Sequence, residues 1–132
     1  VSLPTRRSRV RPPLPAPNFM SDLLSKKCLP CEGGVLPFDI SEIHKYQKKV
    51  DGWDVVKKKN EIYTLEKNFT FKNFLKSQEF INEVGKIAES EGHHPDISFG
   101  WGYAKINITT HAIKGLSEND FILAAKIDQI NV

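Results

Sequence analysis

Hydrophobic positions along the chain recur with two different periods, and the switches between them divide it into elements. Ile43, Tyr46 and Val50 are spaced as on one side of a helix, with Ser41 expected as N-cap, Glu42 in the positive first turn and Gly52 as the stop. Trp53 to Lys57 and Glu61 to Lys67 are rich in aromatic and β-branched residues and flank a Lys-Lys-Asn turn, which predicts a hairpin. Thr70 is the expected cap of a long helix reaching about Glu91. In it Phe74, Phe80, Ile81, Val84, Ile87 and Ala88 make an apolar stripe at spacings of three, four and seven. Gly92 ends that helix, because glycine takes up left-handed backbone without penalty.

Beyond the loop His93, His94, Pro95, Asp96 the period returns to two. Residues 97–101 form one expected strand and 104–110 another, in which Ala104, Ile106 and Ile108 alternate with Lys105, Asn107 and Thr109. His111 falls by parity on the open face of that strand. Gly115 supplies a turn, Ser117 caps a last helix with Asp120 in the capping-box position, and Phe121, Ala124, Ala125, Ile127 and Ile130 give its buried side. The order helix, two strands, helix, two strands, helix predicts an α+β fold with two layers. Short connections make the four-stranded sheet antiparallel, with three helices packed on one face.

Composition narrows the setting. A chain of 132 residues with 39% hydrophobic content fits one globular domain, and an enzyme of this size often completes its core through a subunit interface. The net charge of +3 is uneven: Arg6, Arg7, Arg9 and Arg11 lie in the first 19 residues, which hold no acidic residue, so subtracting these four leaves residues 20–132 at −1. The basic excess is therefore not a patch on the domain, which argues against direct nucleic-acid binding. Lys57, Lys58 and Lys59 read as a solvated turn. Residues 1–19, rich in Pro, Arg and Ser, read as a disordered leader, whether a targeting segment, an expression remnant or a genuine tail. Met20 reads as the natural start of a single domain over 20–132. No apolar run approaches the roughly 18 residues needed to cross a membrane. A cytoplasmic location is expected, or an organellar one if the leader is a transit peptide.

The residues able to carry chemistry concentrate between positions 93 and 111. Three of the four histidines lie there, and imidazole, with an unperturbed pKa of about 6.5, serves as acid or base near neutrality. Pro95 biases His94 towards extended backbone and gives the loop a defined shape. Three histidines could also hold a zinc ion, but adjacent residues in extended backbone point to opposite sides, which disfavours a shared metal. Cys28 and Cys31 form a Cys-x-x-Cys pair with no second ligand pair and no redox context, so they read as reduced bystanders. His44 reads as a surface or interface residue. Phe99 and Trp101 read as core or interface aromatics, with the wall of a heterocycle pocket as the rival reading.

The run Glu89, Ser90, Glu91, Gly92, His93, His94, Pro95, Asp96, then INITTH ending at His111, then Gly115, Leu116, Ser117, Glu118, Asn119, Asp120, Phe121, resembles the pterin-4a-carbinolamine dehydratase family. The resemblance covers roughly residues 25–130 and includes SKKCLPC and the Gly52-Trp53 pair. It implies dehydration of a 4a-hydroxytetrahydropterin to the quinonoid dihydropterin, recycling the cofactor of aromatic amino acid hydroxylases, with no metal and no cofactor. Carried over by position, His93, His94 and His111 are the catalytic histidines, and His93, His94, Pro95, Thr110, His111, Ala112 and Ile113 line the pterin. His93 and His111 are expected to share the proton transfers while His94 binds. Glu89 could orient an imidazole, though a solvated helix end is the preferred reading. Gly92 departs from the acidic residue that often precedes the His pair in relatives. The resemblance also implies a homodimer or homotetramer, with a non-enzymatic binding module, such as a dimerisation cofactor of a transcription factor, as the alternative function.

Overall fold

The computed structural model describes residues 19–29 and 36–132. Elements run α1 (Phe19–Leu24), α2 (Ile40–Gln47), β1 (Asp54–Lys57), β2 (Tyr63–Thr70), α3 (Phe74–Glu91), β3 (Asp96–Gly100), β4 (Tyr103–Ile108), a single 3₁₀ turn (His111–Ile113) and α4 (Glu118–Ile127). The sheet has the order β1-β2-β4-β3 with every neighbouring pair antiparallel. The two-layer α+β arrangement expected from the sequence is present, with four helices rather than three among the described residues. The additional one, α1, has six residues, too few for a helical period to register in the sequence. The expected boundary between leader and domain, at Met20, falls inside its first turn, and residues 1–18 and Cys31 lie outside the described residues.

Several element ends differ from the pattern-based expectation, among them both ends of α2 and the start of α3. Asp39, not Ser41, caps α2: its side chain accepts from Glu42 N at 2.9 Å. The helix ends at Gln47, so Val50 is buried from the following turn. Thr70 closes β2 instead of opening α3, and Asn73 takes the cap by accepting from Lys76 N at 2.9 Å. At each of the two helix starts, two capping-type residues stand close together, and tertiary packing selects one of them. Gly92 ends α3 with φ 65°, and the Ser117/Asp120 capping box of α4 forms as read.

Register explains which side chains go inward. Leu65 stands opposite Ile108, Lys67 opposite Ile106 and Phe69 opposite Ala104, so these six share the face that meets the helices. Ile106, Ile108, Ala104 and Leu65 are fully buried there. The helical layer is centred on α4, whose Phe121, Leu123, Ala124, Ala125 and Ile127 have no exposure, and α1, α2 and α3 all pack against it. On the other face, Glu66 accepts from Lys58 Nζ at 2.8 Å and Asn107 Nδ2 at 2.7 Å. One lysine of the expected solvated turn is thus tied to the sheet.

Lys67 is the polar intrusion on the apolar face. Its Nζ reaches Asp128 Oδ1 at 2.9 Å and the Asp51 carbonyl at 2.8 Å, while Trp53 Nε1 donates to Asp128 Oδ2 at 3.0 Å. Burial pushes the Asp128 carboxyl up, opposed by the Lys67 and Trp53 hydrogen bonds. Removing Asp128 takes the carboxylate from a partly buried ammonium, which keeps the Asp51 carbonyl, and leaves the buried Trp53 indole N–H short of a partner. Asp128→Ala is expected to cost about 2–4 kcal/mol in urea denaturation, since breaking one side of a buried pair strands the other. A loss under about 0.5 kcal/mol, the level of an exposed pair, would contradict this account.

Candidate active site

The site is assembled where the end of α3, the end of β4 and the start of α4 converge. At the C-terminus of α3 the left-handed Gly92 turns the chain, and His93 N–H donates back to Ala88 O at 3.1 Å, which fixes how His93 leaves the helix. At the end of β4, Thr110 makes an isolated antiparallel bridge with Gly115, its N–H donating to Gly115 O at 2.9 Å. The intervening residues form the 3₁₀ turn that carries His111. Strand β4 stops at Ile108, so His111 owes its exposure to this turn and not to strand parity.

Asp120 joins these pieces. It has no exposed surface, and its Oδ2 accepts from Ser117 N at 2.8 Å and Thr110 Oγ1 at 2.8 Å. Its Oδ1 lies 2.7 Å from His93 Nε2. An ionised carboxylate only accepts, so His93 must present Nε2–H to it, which leaves Nδ1 as the free ring nitrogen of the neutral imidazole. The pair becomes an ion pair when His93 is protonated. The pattern of the sequence announced Asp120 only as a helix cap. Its second role depends on a histidine 27 residues away, which no local spacing encodes.

His94 is held differently. Its Nε2 lies 2.6 Å from Glu89 Oε1, and both side chains are largely exposed. Glu89, expected to be a solvated helix end, is 80% exposed and also reaches this imidazole. The reason is the turn at Gly92, which folds the chain back across the last turn of α3.

His93, His94 and His111 line one open cavity of 390 Å³ together with Gly92, Thr109, Thr110, Ala112, Glu91, Asn119, Cys28 and Leu29. The volume is in the range of small-molecule sites. Of the expected lining residues, Pro95 and Ile113 stand outside it; Ile113 is 6% exposed and turned inward. Trp101 is 71% exposed on the β3–β4 turn and is neither core nor lining, whereas Phe99 is partly buried against Phe74. His44 is exposed on α2. Among the described residues no cluster of three or more His, Cys, Asp or Glu side chains has a geometry that could hold a metal ion.

Cys28, expected to be a bystander, stands on the cavity wall beside the histidines. Its chemistry is nonetheless quiet: burial, reinforced by the neighbouring Glu91 carboxylate, pushes the thiol up to about 12. The Sγ donates to Asn119 O at 3.5 Å. Glu91 itself would be raised by burial, but hydrogen bonds from Lys126 and from Cys28 N–H outweigh this and hold it below the usual carboxylate range.

The cavity of this two-layer α+β domain thus gathers three histidines, two of them against carboxylates. Comparison with known proteins gives the family. The family model described as pterin 4 alpha carbinolamine dehydratase matches residues 37–130, and the chain belongs to that family. A Rubrobacter xylanophilus protein assigned as a pterin-4-alpha-carbinolamine dehydratase is 45% identical over 111 residues, covering 84% of this chain and all of the relative. One from Rickettsia canadensis, assigned likewise, is 47% identical over 110 residues, covering 83% and 97%. Among solved structures, a transcriptional coactivator/pterin dehydratase from Brucella melitensis superposes with TM-score 0.64 at 25% identity, covering 70% of this chain and 95% of its own. A pterin dehydratase-like protein described as a RuBisCO assembly factor in the alpha-carboxysome gives TM-score 0.50 at 26% identity, covering 58% and 86%.

With a thiol near 12 against an ordinary 9.0, the thiolate fraction of Cys28 at neutral pH is about a thousandfold below that of an unfolded chain. In a Cys31→Ser background, native protein is expected to react with iodoacetamide at least ~10²-fold more slowly than urea-unfolded protein, as read by mass spectrometry. Equal rates would contradict the buried thiol.

Proposed function

We propose that this chain dehydrates a 4a-hydroxytetrahydropterin to the quinonoid dihydropterin by histidine acid-base catalysis, without a metal or cofactor. The observation that carries the reading is the His93–Asp120 pair, a buried carboxylate fixing the tautomer of an imidazole that shares its cavity with two more exposed histidines. In the reaction the ring nitrogen beside C4a supplies its lone pair to form a C=N bond while the C4a–O bond breaks. One imidazolium protonates the departing hydroxyl, which leaves as water, and one neutral imidazole accepts the proton lost from that nitrogen. His93 and His111 take these two parts, and His94, oriented by Glu89, binds the pterin. Each proton transfer of this kind is worth about 10²–10⁴-fold.

The chain is taken to work as a homodimer or homotetramer in the cytoplasm, from one domain beginning near Met20. No described helix is long and apolar enough to cross a membrane. The coactivator and assembly roles named for two solved neighbours belong to those proteins. For this chain, two separately oriented imidazoles favour the enzyme over a binding module, which would have no use for them.

Stopped-flow measurement with freshly generated 4a-hydroxytetrahydropterin tests the reading. His111→Ala and His93→Ala are each expected to lower kcat by about 10²-fold or more, and His94→Ala to act mainly on KM. Asp120→Asn keeps the shape but offers an amide to His93, and is expected to lower kcat by at least ~10²-fold through loss of the tautomer. A His111→Ala rate equal to wild type would remove His111 from the chemistry. An inactive wild type would sink the enzymatic reading.

A further inference from the structure

One wall of the histidine cavity comes from a part of the chain that the chemistry does not use. Cys28 and Leu29, which follow α1, line it opposite residues more than sixty positions further along. This stretch has no helix or sheet to satisfy its backbone, yet side chains on either side of the site clasp it. Asn119 uses both ends of its amide, Nδ2 donating to Leu29 O at 2.6 Å and Oδ1 accepting from Leu29 N at 3.0 Å. Glu91, 7% exposed in its side chain, accepts from Cys28 N at 2.9 Å and is fixed by Lys126 Nζ at 2.6 Å. Lys26 and Lys27 add a pair to Glu118 at 2.6 Å and a bond to the Ser90 carbonyl at 2.8 Å.

The clasps are placed with respect to the reacting groups. Glu91 stands two residues before His93, and Asn119 one residue before Asp120, so the segment is registered to both ends of the His93–Asp120 bond. Fixing the backbone has not buried the side chain that follows: Leu29 stays 71% exposed at the cavity. An isobutyl group whose backbone N–H and C=O are both hydrogen-bonded, and which is itself left open, is placed for contact with a ligand and adds little to the core. Ordering it in advance avoids an entropy cost at the moment of binding.

We propose that Leu29 packs on the flat face of the bound heterocycle, and that Asn119 and Glu91 are positioning residues that hold it there. The proposal rests on the pterin reading above and adds a contact from the N-terminal side of the domain. Leu29 would bind ground state and transition state alike, so its loss should appear in KM and spare kcat.

The test is stopped-flow kinetics of the full chain with 4a-hydroxytetrahydropterin. Leu29→Ala is expected to raise KM about tenfold with kcat within about twofold, the scale of about two buried methylene groups. Its Tm should be unchanged because the side chain is exposed, and Leu29→Met should restore KM. Asn119→Ala should raise KM in the same way and speed hydrogen exchange at the Leu29 amide. A merely structural segment would instead lower the active fraction and Tm of Leu29→Ala and leave KM alone. If wild type turns over and Leu29→Ala keeps its KM, the Leu29 contact is overturned and the dehydratase reading stands. If wild type does not turn over, the dehydratase reading fails and the contact fails with it.

Discussion

The buried carboxylate of Asp120 is the constraint on which the rest of the site depends. Three donors from three places reach it: a backbone N–H at the start of α4, a hydroxyl at the end of β4 and an imidazole from the loop after α3. A carboxylate withdrawn from water must have such partners or it would be driven to neutralise. The same requirement that stabilises the charge therefore sets the relative positions of helix, strand and loop. It also decides a chemical matter, since a group that only accepts can face His93 in one tautomer alone.

The rest of the cavity grades outward from that point. The His93 side chain is 13% exposed and that of His94 61%, so one imidazole is framed by the core and the other by solvent. Their carboxylate partners follow the same gradient, fully buried for Asp120 and exposed for Glu89. An exposed contact of the Glu89–His94 kind is worth little to stability. Glu91 and Lys126 make a third, nearly buried pair in which Glu91 also accepts from Cys28 N–H, and burial first and the Glu91 carboxylate second push the Cys28 thiol up while Lys126 opposes them. Acidic groups at 89, 91 and 120 thus do three different things within one small volume, and burial and partner distinguish them more than residue type does.

Much of this was legible in advance, and the parts that were not have physical reasons. The four strands, the long helix, the Gly92 stop and the capping box of α4 follow from period and from turn or cap chemistry, which are local properties. The misplaced caps at Ser41 and Thr70 mark the limit of that logic, because a hydroxyl or carboxylate can cap wherever packing places the first turn. Helix α1 was invisible because a short helix is stabilised by what it covers, here α4, and hardly by its own sequence. The three histidines could be singled out as chemistry by residue type. That they share a cavity, that Pro95 and Ile113 do not line it, and that Cys28 and Leu29 do, are facts of convergence between distant segments.

What the chain determines by itself is thus the kind of fold: alternating and helical periods specify the two layers, and imidazoles grouped in one stretch mark where acid-base chemistry is to be sought. Which imidazole is locked and which is free, and what closes the cavity around them, were decided only by tertiary structure. Asp120 and His93 are 27 residues apart, Cys28 and Glu91 are 63 apart, and hydrogen bonds of that range are set by how helices pack on a sheet. Periodicity carries the direction in which a side chain points; it carries nothing about what waits there.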